Sequence, residues 1–113
     1  MARIEITPAE GAWTVRTPDG VVVESRNAVL LHEGDRAPVV YFPREDVAMA
    51  LLDRSATTTR ADGKGEATYY SYVGQSARID DIAWSYEAPS EAAAEPIAGF
   101  LAFSTEKATV EQL

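Results

Sequence analysis

Residues 13–24 read Trp-Thr-Val-Arg-Thr-Pro-Asp-Gly-Val-Val-Val-Glu, and this stretch decides the fold class. Apolar Trp13 and Val15 alternate with polar residues, which is the period-two pattern of a half-buried strand. Pro18 fixes φ at the first corner of a turn, and Gly20 supplies the positive φ that ends it. The valine run that follows returns as a second strand, so residues 11–25 are predicted to form a β-hairpin.

The rest of the chain repeats this design of short strands and polar turns. Beyond the hairpin, strands are predicted at 3–7, 28–32, 39–42, 55–60, 66–73, 77–86 and 98–103. About eight to ten short strands at this spacing are typical of an all-β domain. The polar tail from Ser104 is expected to be partly frayed.

Two helical segments interrupt the strands. A main helix is predicted at about 43–53, because Pro43 suits the first helical position and acidic residues such as Glu45 favour the positive end of the helix dipole. A short helical turn is predicted near 90–95, limited by Pro96. The fold class is therefore mostly β with minor α, a β-sandwich or rolled sheet that carries one helix.

Composition sets the broad class of the chain. Its 113 residues are 46% apolar and 25% charged, which fits a single globular domain over 1–113 with one hydrophobic core. The absence of cysteine excludes disulfides, thiolate zinc sites and iron–sulfur clusters. The alternating start of the chain lacks the apolar run of a signal peptide, so a cytoplasmic location is expected.

The net charge of −8 limits the kinds of partner. A negative field repels phosphate backbones and anionic lipid, so neither nucleic acid nor membrane is an expected partner. A small-molecule ligand is expected instead, and a homo-oligomer is left open. No cofactor and no metal site are predicted, although an oxygen-only magnesium site needs only one or two carboxylates plus substrate phosphates.

Most polar residues that could carry chemistry have an ordinary structural explanation. His32, the only histidine, lies in an apolar run and is predicted to be a strand residue with a satisfied ring nitrogen. Asp80 and Asp81 would point to opposite faces of a regular strand and are predicted to be solvated. Neither pattern predicts a catalytic site.

The most suggestive stretch is Gly63-Lys64-Gly65 with the aromatic residues that follow it. Glycines allow a backbone to approach a ligand, and a lysine offers a point charge to an anion. Alone, the turn is more often a simple hairpin connection. Five large aromatic residues lie on the next two strands, at 69, 70, 72, 84 and 86. Burial is the default for such residues, but tyrosine and tryptophan also line pockets.

Four segments of the chain carry a family resemblance. They read Tyr-Phe-Pro-Arg-Glu-Asp-Val at 41–47, Lys-Gly-Glu-Ala-Thr-Tyr-Tyr-Ser at 64–71, Ala-Trp-Ser-Tyr-Glu-Ala-Pro at 83–89 and Ile-Ala-Gly-Phe-Leu-Ala-Phe at 97–103. In this order they resemble domain of unknown function 427, sometimes labelled nucleotidyltransferase-like, over residues 20–105. The resemblance implies a compact, mostly-β fold of two sheets, tent-like, with a cleft between them.

The resemblance also implies candidate site residues. The family's lysine corresponds to Lys64, its tyrosine to Tyr69, and its Trp-Ser-Tyr motif to Trp84 through Tyr86. Its Pro-x-Glu-Asp motif corresponds to residues 43–46. Family members often carry Cys-Pro followed by Tyr or Trp before the Lys-Gly pair, and here Ala-Asp-Gly stands in that place. Any role of that cysteine is therefore absent or reassigned.

Two functional hypotheses follow. The first is a cleft for a small anionic or nucleotide-like ligand, lined by Lys64, Tyr69, Trp84 and Tyr86, with nucleotidyltransferase-like chemistry implied only by the family label. Arg44 would reach into this cleft, and Glu45 or Asp46 would hold a metal or act as a base. We expect Lys64→Ala to abolish binding at an unchanged melting temperature. The alternative is a non-enzymatic interaction or scaffold module that uses the segments 21–23 and 28–31 as a free sheet edge.

Overall fold

A computed structural model describes residues 3–113, in which ten strands form three antiparallel sheets. The strands are β1 (Ile4–Pro8), β2 (Trp13–Thr17), β3 (Gly20–Ser25), β4 (Val29–Glu33), β5 (Val39–Tyr41), β6 (Leu52–Ala61), β7 (Gly65–Val73), β8 (Arg78–Ser85), β9 (Ala102–Phe103) and β10 (Thr109–Gln112). The sheets have the orders β1-β4-β5, β10-β2-β3 and β6-β7-β8-β9. The predicted mostly-β class is confirmed, with three sheets in place of the expected two.

The predicted hairpin is confirmed as β2 and β3, and its turn is held by Asp19, whose backbone N–H donates to Thr17 Oγ1 at 3.2 Å. The prediction of a frayed tail is wrong, because β10 pairs with the outer edge of β2. That pairing sets Val110 opposite the fully buried Val15. It also gives the backbone groups of the β2 edge hydrogen-bond partners, which an unpaired edge would lack.

The predicted main helix at 43–53 is wrong. A 3-10 turn at Arg44–Asp46 ends at Val47, which adopts an extended conformation and bridges to Val23. The next residue, Ala48, donates its N–H to Val22 O at 2.9 Å. Backbone pairing of Val47 and Ala48 with β3 therefore interrupts the predicted helix and outweighs the local helical preference of the segment.

All helical segments of the described chain are short 3-10 turns, at Arg44–Asp46, Met49–Leu51 and Ala92–Ile97. The last of these confirms the helical turn predicted near 90–95, but Pro96 lies inside the turn and does not end it. It also shortens the final predicted strand, because the chain turns at Gly99 before Leu101 pairs with Phe42. None of these helical segments, which are the ones found in residues 3–113, could span a lipid bilayer.

The sheet β6-β7-β8-β9 has a hydrophobic cluster on each face. The first cluster includes Val15, Val23, Phe42, Tyr70, Ile82 and Leu101. The second includes Leu31, Tyr41, Ala67, Tyr86 and Ile97. Because side chains of a strand alternate between faces, Tyr70 of β7 belongs to the first cluster, whereas its neighbour Tyr69 packs against the second. The second cluster lies between β7–β8 and β4–β5, and the candidate site opens beside it.

Candidate functional site

A cavity of about 230 Å³ lies between the facing surfaces of β4–β5 and β7–β8. Its walls are Leu31, Glu33, Arg36, Ala37, Val39, Tyr41, Lys64, Tyr69, Trp84 and Tyr86. Four of the six predicted site residues are brought together here, namely Lys64, Tyr69, Trp84 and Tyr86.

Strand register explains why the aromatic residues share one wall. Tyr69 of β7 pairs directly with Trp84 of β8, and Tyr86 lies two residues further along on the same face. The Tyr69 and Trp84 ring centroids are 6.2 Å apart at an interplanar angle of 38°. Trp84 Nε1 donates to Tyr41 OH on the opposite strand pair at 3.2 Å. That hydrogen bond fixes the indole ring across the cavity.

The turn Gly63-Lys64-Gly65 is buried, and its backbone is packed against a neighbouring segment. Lys64 O accepts a hydrogen bond from the Ser90 N–H at 3.3 Å, so the segment around residue 90 covers the turn. Gly65 has a φ of +91°, and a Cβ there would lie 3.3 Å from Ser90 N. Close approach of backbone to backbone therefore explains this glycine.

Lys64 enters the cavity as one half of an ion pair with Glu33. The side chains of Lys64 and Glu33 are only 9% and 13% exposed. The Lys64 ammonium also lies over the Tyr86 ring, 5.7 Å from its centroid, in cation–π geometry. Lys64 therefore has a structural role in addition to any ligand contact, and Lys64→Ala is expected to lower the melting temperature, contrary to the sequence-based expectation.

Glu33 is a site residue that sequence reasoning missed. It ends β4, and strand alternation places it on the same face as the buried Leu31. A charged residue on the buried face of an apolar strand indicates a partner, because an unpaired charge is costly there. The partner itself, 31 residues away in sequence, could not be inferred.

Arg36 adds a second cation to the same carboxylate. Its Nη1 lies 3.9 Å from Glu33 Oε1, and its side chain is 78% exposed at the cavity mouth. The cavity wall therefore carries Lys64 and Arg36 against the single carboxylate of Glu33. At neutral pH this leaves a surplus of one positive charge in a protein whose net charge is −8.

Two of the predicted site residues lie outside the cavity wall. Arg44 donates to Gly99 O at 3.1 Å, pairs with Glu87 at 2.5 Å and lies over the Tyr70 ring. These contacts fasten the first 3-10 turn to the loop around residue 99. Glu45 is exposed on that turn. The structure therefore does not bring either residue to Lys64.

Comparison with protein families identifies the family of the chain. A family model, NTP_transf_9, whose description is "Domain of unknown function (DUF427)", matches residues 5–112. The chain belongs to this family. The match is longer than the 20–105 of the sequence resemblance, and it includes most of β1 and all of β10. No curated protein matches the chain.

Polar residues of this DUF427 domain that lie outside the cavity form hydrogen bonds with a structural role. His32 Nε2 is 2.9 Å from Thr7 Oγ1 across β1 and β4, which confirms its predicted structural role. Asp80 is exposed as predicted. Asp81 is not simply solvated, because its carboxylate accepts hydrogen bonds from Ser55 Oγ at 2.6 Å and Thr57 Oγ1 at 2.7 Å. These two hydrogen bonds hold the pKa of Asp81 below its ordinary value.

Carboxylates of the described residues do not assemble into a metal site. No group of three or more His, Asp or Glu side chains within 3–113 has the spacing to hold an ion. Asp46, which the sequence suggested as a metal ligand or base, accepts a hydrogen bond from Ser25 Oγ at 2.6 Å. Its place is at the junction of β3 with the first 3-10 turn.

A larger hollow of about 400 Å³ lies between the β2–β3 turn and the segment before β10. Arg16 and Lys107 are among the residues that line it. Arg16 is already paired with Glu111 at 2.6 Å, and Lys107 donates to Asp80 O. The hollow is open to solvent and brings together no aromatic residues, so it is a weaker candidate than the smaller cavity.

Burial of the cavity tyrosines predicts a loss of stability at alkaline pH. Burial, with smaller effects from Tyr69 and Glu33, raises the pKa of Tyr86 to about 12. Unfolded tyrosine ionises near pH ~10. The stabilisation from the neutral hydroxyl is therefore complete below about pH 10 and is lost as the pH rises through about 12, by about 2–3 kcal/mol.

Urea unfolding between pH ~9 and ~12 would measure this loss. The free energy of unfolding of Tyr86→Phe should fall less steeply with pH than that of the wild type, because phenylalanine has no group to ionise. Parallel curves for the two proteins would contradict the assigned role of Tyr86. Burial raises the pKa of Tyr41 as well, so some loss should remain in the variant.

Proposed function

We propose that this domain binds a small organic monoanion in the cavity, with Lys64 as its charged contact. The observation that supports the proposal is the charge arrangement, in which Lys64 and Arg36 share one carboxylate, Glu33. One positive charge is left without a partner in a partly enclosed, aromatic-lined space. An anion of unit charge would neutralise it.

The two cations around the Glu33 carboxylate would allow an anion to bind without leaving a buried charge unpaired. A lysine ammonium has three N–H donors, and one of them is directed to Glu33. The Arg36 side chain is flexible and exposed, and its guanidinium already lies close to the same Glu33 oxygen. When an anion approaches Lys64, Arg36 can take over Glu33, so the ammonium is shared with the ligand and no buried charge loses its partner.

The aromatic wall would contact the carbon skeleton of the ligand. Tyr69 and Trp84 offer ring surface, and their position is set by strand pairing and by the hydrogen bond from Trp84 to Tyr41. Rigid aromatic walls with few polar groups are the usual composition of small-molecule sites. The hydroxyls of the cavity tyrosines add hydrogen-bonding groups at its edge.

Size and charge favour a simple organic acid over a nucleotide. Drug-sized ligands occupy sites of about 300–1,000 Å³, whereas this cavity has a volume of about 230 Å³. A nucleotide phosphate carries close to two negative charges and would meet Glu33 beside Lys64. Because Glu45 and Asp46 lie away from this wall, binding without catalysis has more support than nucleotidyl transfer.

A thermal-shift screen on three proteins would test the proposal. The panel would contain small carboxylates, inorganic phosphate and nucleotides, with and without magnesium. The chain has only two lysines, so Lys107→Met is a matched control for Lys64→Met. A bound carboxylate at about 100 times its Kd adds ~2.7 kcal/mol of stability, a shift of roughly 10 °C at this chain length.

We expect that shift in the wild type and in Lys107→Met, but not in Lys64→Met. A panel without any shift in the wild type would contradict the proposal. A shift that is lost only in Lys107→Met would also contradict it, because the anion would then bind in the larger hollow.

The alternative, a protein-interaction module, has support from one feature. The ten-residue β6 lies at the edge of its sheet, and edge strands offer unpaired backbone groups to partners. The segments that the sequence suggested are unsuitable, since β4 is paired on both sides and the outer edge of β3 is met by Val47 and Ala48. Light scattering that shows a dimer dissociated by Thr58→Pro, together with a flat ligand panel, would favour this alternative.

A further inference from the structure

We propose that the anion is amphipathic, with an apolar tail that passes Trp84 and occupies a second cavity. This inference rests on the proposed function, because the head group of the same ligand would contact Lys64. The ligand class is then an organic acid that carries an alkyl or aryl chain.

The second cavity adjoins the first. It has a volume of about 270 Å³ and shares three wall residues with the first, namely Ala37, Val39 and Trp84. Val39 and Trp84 pack with the second cluster, whereas Val40, Phe103 and Val110 pack with the first, so the second cavity draws its wall from both clusters. The three shared wall residues make the two cavities neighbours.

The two cavities differ in chemistry. The first ends at the ion pair of Lys64 with Glu33. Apolar side chains make up most of the second wall, among them Val40, Phe103 and Val110. A molecule that lies across both would place its charge at one end and its apolar part at the other. That distribution is the definition of an amphipathic acid.

The fixed position of Trp84 supports a ligand that spans the two spaces. Its indole ring is held by the hydrogen bond to Tyr41 OH and by contact with Tyr69. The ring therefore forms a constant surface at the boundary between the cavities.

Calorimetry with straight-chain carboxylates on the wild-type protein would test the inference. Acetate, butanoate, hexanoate and octanoate share one head group and differ only in tail length. Each methylene that enters the apolar cavity should lower Kd about fourfold, which corresponds to ~0.8 kcal/mol. Octanol, which lacks the charge, should bind far more weakly than octanoate.

A variant that fills the second cavity would locate the tail. Val110→Phe places a ring at the apolar wall, and Val21→Phe is its control because Val21 is an exposed valine outside both cavities. In Val110→Phe, octanoate should bind about as weakly as butanoate, while butanoate should bind as it does to the wild type. Val21→Phe should change neither affinity.

The outcomes separate this inference from the proposed function. Equal Kd values for butanoate and octanoate in the wild type would overturn the tail and leave the Lys64 site intact. Failure of every carboxylate to bind would overturn the proposed function and this inference with it. Octanoate binding that is unchanged in Val110→Phe would overturn the assignment of the tail to the second cavity.

Discussion

Replacing Glu33 with alanine should lower the free energy of unfolding by about 3 kcal/mol. The Lys64 ammonium is almost fully buried, and Glu33 is its ion-pair partner. When one partner of a buried pair is removed, the other is left as an uncompensated charge, which typically costs about 3–5 kcal/mol. The small exposure of the pair places the expected effect at the lower end of that range.

A double-mutant cycle would separate the ion pair from simple packing. Lys64→Met in the Glu33→Ala background should restore much of the stability, because the second change removes the unpaired charge. Glu111→Ala, which breaks the exposed pair with Arg16, is the control and should cost less than about 1 kcal/mol. If Glu33→Ala is no more destabilising than Glu111→Ala, the ion pair is not structurally important.

Replacing Phe42 with alanine should have a still larger effect, about 4 kcal/mol. Phe42 is fully buried in the first cluster and meets Phe103 edge-on, with ring centroids 6.2 Å apart. Truncation of a buried phenylalanine removes its transfer energy and leaves a cavity, for about 3–5 kcal/mol in total. Urea unfolding at neutral pH measures this difference.

Phe42→Leu is the matched control for that change. Leucine keeps most of the buried volume, so it should cost much less than alanine. Phe42 also exchanges backbone hydrogen bonds with Leu101, and neither substitution removes them. A loss of less than about 1 kcal/mol in Phe42→Ala would mean that this position is not central to the core.

Local turn chemistry is what made the hairpins predictable. The Pro-Asp-Gly turn and the alternating Trp13 and Val15 specify β2 and β3 without reference to the rest of the chain. The failed predictions depend on distant partners. Val47 leaves its 3-10 turn because it bridges to Val23, and the tail forms β10 because β2 offers an unpaired edge.

The candidate site also contains residues that could be predicted from the sequence and residues whose position depends on distant partners. Tyr69, Trp84 and Tyr86 were singled out by the family resemblance among the five aromatic residues of two neighbouring strands, and the structure places all three in the cavity wall. Arg44 and Glu45 belong to the same family pattern, yet backbone pairing of their segment with β3 places them outside the cavity wall. Order along a motif does not specify a shared pocket.

The ion-pair partner of Glu33 could not be predicted from the sequence. Its contact with Lys64 joins the end of β4 to the turn before β7. Nothing local to either residue specifies that contact, because it depends on how two sheets pack. The placement of one carboxylate, Glu33, beside two cations therefore could not be predicted from the sequence.

The most direct test of the account is an NMR titration of the two tryptophan indole N–H signals with hexanoate. Trp84 lies in the cavity wall, whereas the Trp13 indole donates to Glu10 O elsewhere and is an internal control. We predict that the Trp84 signal shifts saturably, that Trp13 stays in place, and that Lys64→Met abolishes the shift. An unmoved Trp84 signal at high hexanoate, or equal shifts of both signals, would contradict binding in this cavity.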